Sequence, residues 1–289
     1  MNSYEIMYLM SGPAHLPYLL VSLATLRQHY QGRVVVQAWP ESFEYLRHFA
    51  NEPSLGIEAM CADPSYRGKN AQFYHKLCLM QQPGPNARLY LDADTTIHHD
   101  PTPLIEQAMY SGLVATQFHG WYTQSRVVRN RVERLKNVDE IPNELIEHVL
   151  TNSYPSPNGG VFAARPDSTA LDQWREWTWA ARHWFIADEC VLHVLQHACR
   201  LSITVVEGEQ WNCSHKWCRD GAKIWHHHGD CNVRPEKCMA ACEQWWPLWN
   251  RCKELNLARC REWHSQVGNR YLNRLEREAT FTHVAQDFN

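Results

Sequence analysis

Short apolar runs alternate with stretches of helical spacing along most of the chain. Residues 5–11 read as a strand that stops at Ser11-Gly12-Pro13. Over residues 15–30, Leu16, Leu19, Leu20, Leu23 and Leu26 recur at steps of three and four, which predicts a helix ended by Gly32. Residues 33–39 give a second strand and residues 56–60 a third, shorter one. A helix over 71–82 runs into Pro83-Gly84-Pro85. A further apolar run, Leu89-Tyr-Leu91, ends in Asp92-Ala93-Asp94. Beyond it the pattern predicts a strand at 112–117, helix over 125–150, a turn-rich loop at 153–160, a short strand at 161–164 and a helix over 168–183. A second helix over 188–199 and a strand at 201–206 follow. Residues 224–229 close the sheet region, and from Arg234 the spacing is helical to near the end. Strands alternating with helices specify an α/β fold with a mostly parallel, Rossmann-like sheet flanked by helices. The expected organisation is a domain over 1–233 and a C-terminal helical extension over 234–289.

Composition narrows this picture without changing it. The 289 residues suffice for a full core, and the balance of 28 basic against 31 acidic residues lacks the broad excess of a non-specific nucleic-acid binder. The first ten residues lack the pattern of a signal peptide, and no stretch is apolar for long enough to span a membrane, so the expectation is a soluble cytoplasmic protein. Eleven cysteines, most of them from Cys190 onward, are then expected as thiols or metal ligands rather than disulfides. Cys213, His215, Cys218, Cys231, Cys238 and Cys242 offer ligands for zinc, but no clean pair of C-x-x-C arms organises them. Thirteen tryptophans, concentrated after residue 170, suit a core, a carbohydrate platform or a stacking surface for bases.

The chemistry concentrates at Asp92 and Asp94. A strand that ends in two carboxylates one residue apart places them at the carboxyl edge of the sheet, where open α/β folds bind ligands. Such a pair can hold a hard divalent cation, and the cation can hold a diphosphate. The tripeptide by itself is common, and two solvated acids in a turn are the simpler reading, so its surroundings must carry the assignment.

Those surroundings have an order. Tyr74-His-Lys76 precedes the acidic strand, Leu89-Tyr-Leu-Asp-Ala-Asp94 forms it, and Asp100-Pro-Thr-Pro-Leu104 follows. Then come Asn158-Gly-Gly-Val161, Asp188-Glu189, Trp211-Asn212, His226-His-His-Gly229 and Arg234-Pro235. This succession, over roughly residues 5 to 235, resembles the GT-A glycosyltransferases and, among them, the glycogenin-like family 8. The resemblance implies a metal-dependent hexosyl- or pentosyltransferase that takes a UDP-sugar as donor. It also implies a metal, Mn²⁺ or Mg²⁺, held by Asp92 and Asp94 with His226 as the third ligand. His228 is the alternative, since alternate residues of a strand share a face. Arg234 and Gly229 would meet the diphosphate, and Ser11 and Gly12 the nucleotide. Lys76 would touch phosphate or steady Asp92, or stand solvated on its helix. Lys69 and Asn70 are weaker phosphate candidates. Asn158, Gly159 and Gly160 would let the backbone pass close to the donor sugar, and Asp188 would bond its hydroxyls.

Glu189 departs from the family, which carries an uncharged amide there. Retention of configuration needs no strong enzyme base, whereas inversion needs a carboxylate, and Asp188 or Glu189 could be one. Both acids also suit the first turn of a helix without any catalytic role. The family implies retention, and the carboxylate keeps inversion open. The acceptor is open too. A glycan or lipid-linked saccharide is one class and a hydroxylated DNA base another, with Lys253, Arg259, Arg261, Arg270 and Arg274 as its basic contacts. Two other readings stand beside the transferase. One is a zinc-stabilised, non-catalytic binding module on a transferase-like scaffold. The other, weaker, is a nucleotidyltransferase or metal hydrolase.

Overall fold

The computed structural model describes residues 4–12, 15–84, 87–214 and 221–226. The chain opens with β1 (Glu5–Met10), α1 (Leu16–Arg27) and β2 (Arg33–Ala38), followed by α2 (Pro40–Ala50), β3 (Glu58–Cys61) and α3 (Ala71–Met80). Next come β4 (Arg88–Leu91), β5 (Thr95–Ile97), α4 (Thr102–Ser111) and β6 (Leu113–Tyr122). Two short helices, α5 (Arg126–Glu133) and α6 (Asn143–Leu150), precede β7 (Pro155–Ala164), α7 (Thr169–Ala180) and α8 (Ala187–Ala198). The described part closes with β8 (Ile203–Val206), α9 (Gly208–Trp211), β9 (Cys213–Ser214) and β10 (Ile224–His226).

Seven strands form one sheet in the order β3-β2-β1-β4-β7-β6-β8, and β5-β10-β9 form a second. The pairs β1–β2, β2–β3, β1–β4 and β6–β8 are parallel, while β7 runs antiparallel to both β4 and β6. Helices cover both faces of the large sheet, which explains the continuous apolar run of β1. Ile6, Tyr8 and Met10 pack on the side of α1 with Leu16, Leu19, Leu20, Leu23 and Leu26. Met7 and Leu9 pack on the other side with Trp174, Val191 and Leu195.

Several elements differ from the sequence expectation. The helix expected over 125–150 is broken by a 3₁₀ turn at Arg134–Asn137, and Pro142 caps α6, because proline has no N–H to continue a helix. Of the loop expected at 153–160, all but the first two residues form the first part of β7. Its turn-forming composition gives way to pairing with β6, which accommodates the prolines through register shifts after Ala115 and Gln117. The third strand lies slightly later than expected, at Glu58–Cys61. The helix α2, whose buried apolar contacts are only Leu46 and Phe49, carried too sparse a pattern to be expected. Among the described residues no helix is long and apolar enough to cross a membrane. The expected boundary at 233 and the helical extension lie outside the described residues.

Candidate active site

Asp92 and Asp94 occupy the turn between β4 and β5, the point where the chain leaves the large sheet for the small one. Hydrogen bonds lock this turn. The Asp92 N–H donates to the Gly160 carbonyl at 2.7 Å and the Thr95 N–H to the Asp92 carbonyl at 3.2 Å. The Thr95 hydroxyl donates to the Asp92 carbonyl at 2.8 Å. It also meets Ser22 of α1 at 3.0 Å, and Ser22 meets the buried Tyr8 hydroxyl at 2.9 Å. A row of buried hydroxyls thus ties the acidic turn to the first helix and strand.

β10 lies antiparallel to β5 in a register that pairs His226 with Thr95, which brings His226 beside both acids. Ligand atoms of Asp92, Asp94 and His226 all lie within 4.8 Å of one another. His226 Nε2 stands 3.1 Å from Asp94 Oδ1 and 3.7 Å from Asp92 Oδ2. Its other nitrogen, Nδ1, meets Asn212 Oδ1 at 2.9 Å. An amide oxygen can only accept, so that hydrogen bond puts a proton on Nδ1 and points Nε2 at the acids. Asn212 is itself held, its Nδ2 donating to Thr116 Oγ1 at 2.7 Å and to Asn158 Oδ1 at 2.8 Å. The Tyr90 hydroxyl donates to Asp92 Oδ1 at 2.9 Å.

This donor set fits a divalent cation. Carboxylate oxygens beside one imidazole match Mn²⁺, and oxygen-preferring Mg²⁺ less well. Burial alone would lower the pKa of His226, but Asp94 and then Asp92 outweigh it and raise it. The geometry also excludes a side chain where it would intrude. A Cβ on Gly160 would fall 2.1 Å from His226 Cε1 and 2.6 Å from Asp92 Oδ2.

A second cluster adjoins the first. Lys76 and Asp188 form a buried ion pair, and Lys76 Nζ also donates to the Gly159 carbonyl at 2.7 Å. This excludes the solvated-lysine reading: the side chain is directed inward from α3 to the start of α8. Burial by itself would lower the pKa of Lys76, yet Asp188, Asp92 and Glu189 together raise it. Asp188 is fully buried, and that burial raises its pKa against the opposing pull of Lys76. Its Oδ1 has no hydrogen-bond partner among the described residues. A Cβ on Gly159 would lie 2.5 Å from Asp188 Oδ2 and 2.8 Å from Lys76 Nζ, so this glycine is required by close approach as well.

Glu189 accepts from Asn158 Nδ2 at 2.6 Å and, through the same oxygen, from the Gly159 N–H at 3.4 Å. Burial first, and Asp188 second, push its pKa up to about 7. The Asn158-Gly-Gly160 segment therefore links all parts of the site. Asn158 contacts Glu189 and Asn212, Gly159 contacts Lys76, and Gly160 backs Asp92.

Ser11 and Gly12 lie at the carboxyl end of β1, next to β4 in the sheet. Ala93 is nearly buried within the acidic turn. Asn70 takes a left-handed conformation (φ 70°) before α3 and donates to the His183 carbonyl at 3.2 Å, which gives it a structural place rather than a free amide. His228, Gly229 and Arg234 lie outside the described residues, as do His215, Cys218, Cys231, Cys238 and Cys242. Cys213 is a buried free thiol. Asn212 and Thr116 also contribute to the site, although the sequence pattern marks neither as a site residue. Asn212 stood in the Trp-Asn pair, but nothing in that pair indicated that it would orient His226.

No protein-family model and no curated protein matches the sequence. Solved structures do match the fold. Mouse xyloside xylosyltransferase 1, apo form, aligns with a TM-score of 0.54 at 14% identity, over 79% of this chain and 98% of that one. The galactosyltransferase LgtC, in complex with donor and acceptor sugar analogs, aligns with a TM-score of 0.56 at 15% identity, over 87% and 94%. An active-site mutant of LgtC that exchanges glutamine for glutamate aligns with a TM-score of 0.53 at 14% identity, over 77% and 86%. The protein thus has the GT-A fold. The resemblance to family 8 glycosyltransferases, first carried by the order of motifs, holds at the level of the whole fold.

Proposed function

We propose that the protein is a metal-dependent glycosyltransferase that moves a hexosyl or pentosyl group from a UDP-sugar to an acceptor hydroxyl. The observation that carries this reading is the convergence of Asp92, Asp94 and His226 at the sheet edge of a GT-A fold. In this reading the three residues hold Mn²⁺ or Mg²⁺, which when bound offsets the charge of the diphosphate. Ser11 and Gly12 flank the nucleotide. Gly229 and Arg234, expected at the leaving diphosphate, and His228, the alternative ligand to His226, lie outside the described residues.

Asp188 receives the donor sugar. Its buried Oδ1 has an unmet acceptor capacity, and a sugar hydroxyl is a donor that would satisfy it. Lys76 holds the other carboxylate oxygen in place. Asn158, Gly159 and Gly160 form the wall along which that sugar lies. Glu189 favours retention: its Oε1 is already engaged by Asn158 and Gly159, and its raised pKa leaves much of it protonated near neutrality, like the amide it replaces. The acceptor hydroxyl would then pass its proton to the departing phosphate oxygen rather than to an enzyme carboxylate.

Purified protein with Mn²⁺ is expected to hydrolyse or transfer from at least one UDP-sugar. Asp92→Asn combined with Asp94→Asn should lower that turnover by about a thousandfold, with the circular-dichroism spectrum unchanged. Undiminished turnover in the double variant would remove the metal role. Tightly held zinc without nucleotide-sugar binding would favour the binding-module reading instead.

A further inference from the structure

Residues 126–136 carry five basic side chains and one acid, in a chain whose net charge is -3. Two of the five are paired: Arg129 with Glu133 at 3.2 Å, and Lys136 with Glu147. Arg131 and Arg134 meet no carboxylate at ion-pair distance among the described residues. Each is set on an indole instead. Arg131 Cζ lies 5.7 Å from the centre of the Trp121 ring, and Arg134 Cζ 5.9 Å from that of Trp184. A ring beneath a guanidinium steadies its plane and leaves its N–H edge open, and that edge grips an oxyanion at two points. Topology puts the first of these pairs at the ligand edge of the sheet. β4 and β6 both run antiparallel to β7, so their carboxyl ends share one edge. Asp92 follows β4, and Trp121 stands near the end of β6. β7 separates the two strands, which sets them about 10 Å apart. The pairing of Tyr122 with Pro155 carries Trp121 about 10 Å further out than Asn158. α5 buries Val128 and Val132 in the same core cluster as Cys190 and Val191 of α8. Burial and Asp188 raise the pKa of Glu189, while Lys76 and then Arg131 pull against them, so the Arg131 charge is felt in the site.

We infer that Arg131 and Arg134 form a subsite for an oxyanion carried by the acceptor. This rests on the transferase reading above. In that reading the donor diphosphate lies at Asp92, Asp94 and His226, two strands away from Trp121, so the anion that meets Arg131 belongs to the other substrate. The basic stretch is short. Asp139, Glu140, Glu144 and Glu147 follow it directly, so positive charge does not continue along the surface. A polynucleotide brings a charge about every 3.4 Å of each strand and needs a longer basic track. One phosphate or one carboxylate on a saccharide matches two open guanidinium groups.

The test uses the whole chain with Mn²⁺, a panel of UDP-hexoses and UDP-pentoses, and matched acceptors: methyl glucosides and galactosides in neutral, uronate and 6-phosphate forms. The acceptor kcat/KM is measured for each form, with donor hydrolysis alongside. A charged form should exceed its neutral counterpart by about tenfold to a hundredfold, the range that hydrogen bonds to an ionised group supply. Preference for the uronate identifies the anion as a carboxylate, and preference for the 6-phosphate as a phosphate; either supports the subsite. Arg131→Gln and Arg134→Gln should each erase most of the preference through the acceptor KM, and Arg131→Lys should recover part of it. Arg126→Gln, at an exposed position of the same helix, should match wild type. Equal use of neutral and charged forms overturns the inference. So does hydrolysis without transfer to any charged form, or transfer to a 5-hydroxymethylated oligonucleotide alone. A changed pH profile of donor hydrolysis in Arg131→Gln, with the charge preference intact, also overturns it and assigns Arg131 to Glu189. In all these cases wild-type donor hydrolysis still supports the transferase. Absence of both hydrolysis and transfer in the wild type overturns the transferase reading and this inference with it.

Discussion

Gly160 and Glu189 show what single residues decide in this site. A methyl group at position 160 would enter the space between His226 and Asp92. Gly160→Ala is therefore expected to weaken Mn²⁺ binding ten- to a hundredfold by titration calorimetry, as loss of ligand orientation does elsewhere. Wild-type affinity in this variant would show that the acids and the histidine do not share an ion. Glu189 makes a prediction about pH. Its folded pKa of about 7 exceeds the ordinary glutamate value, so the folded state binds a proton that the unfolded state has released. Its contribution is unfavourable and grows as pH rises from about 4.5 to about 7, after which the full cost persists. Glu189→Gln should remove that slope and, above pH 7, stabilise the metal-free protein by about 2 kcal/mol after allowance for partial exposure. Denaturant melts across this range would show it; an identical pH profile in both proteins would refute the assignment.

At the scale of elements, β4 is held at both ends by polar contacts. Its last residue leads into the acidic turn. Its first, Arg88, is fully buried and donates from Nε to Glu5 Oε2 at 2.6 Å. Arg88 also donates to the carbonyls of Met80 at 3.1 Å and Pro83 at 3.0 Å. Glu5 further pairs with Arg33, which reaches Glu58 on β3 at 2.8 Å. The first four strands are thus tied by ions at one edge while the site occupies the other. Glu5→Gln leaves a buried guanidinium without its counter-charge and should cost about 3–5 kcal/mol in a denaturant melt, with turnover per folded molecule retained. A loss below about 1 kcal/mol would show that solvent reaches this pair. Nothing in the hydrophobic pattern marks Arg88, because a buried ion pair between residues 5 and 88 has no local periodicity. The segment 153–160 failed for the opposite reason: its prolines and glycines favour turns locally, and only the bulged strand β6 makes it a strand.

For the whole molecule, metal and donor should act as ligands of the folded state alone. With Mn²⁺ present, a UDP-sugar at a hundred times its Kd should add about 2.7 kcal/mol of stability and raise Tm by several degrees. The same donor without the metal should shift it far less, and equal shifts with and without Mn²⁺ would place the diphosphate away from Asp92 and Asp94. The site draws on β4, β7, α3, α8, α9 and β10, so its integrity depends on the entire sheet and not on one loop.

The sequence by itself determined the alternation of strands and helices, the placement of Asp92 and Asp94 at a strand end, and the order of segments that resembles family 8. Those features are local, written in hydrophobic spacing and in short runs of residues. Only the tertiary structure decided that His226 and not merely its neighbourhood faces the acids, because that follows from the register of β10 on β5. It also decided that Lys76 is buried against Asp188, that Asn212 orients His226, and that Phe185 faces solvent while Asp188 does not. Each of these depends on contacts between residues distant in the chain, which spacing along one element cannot encode.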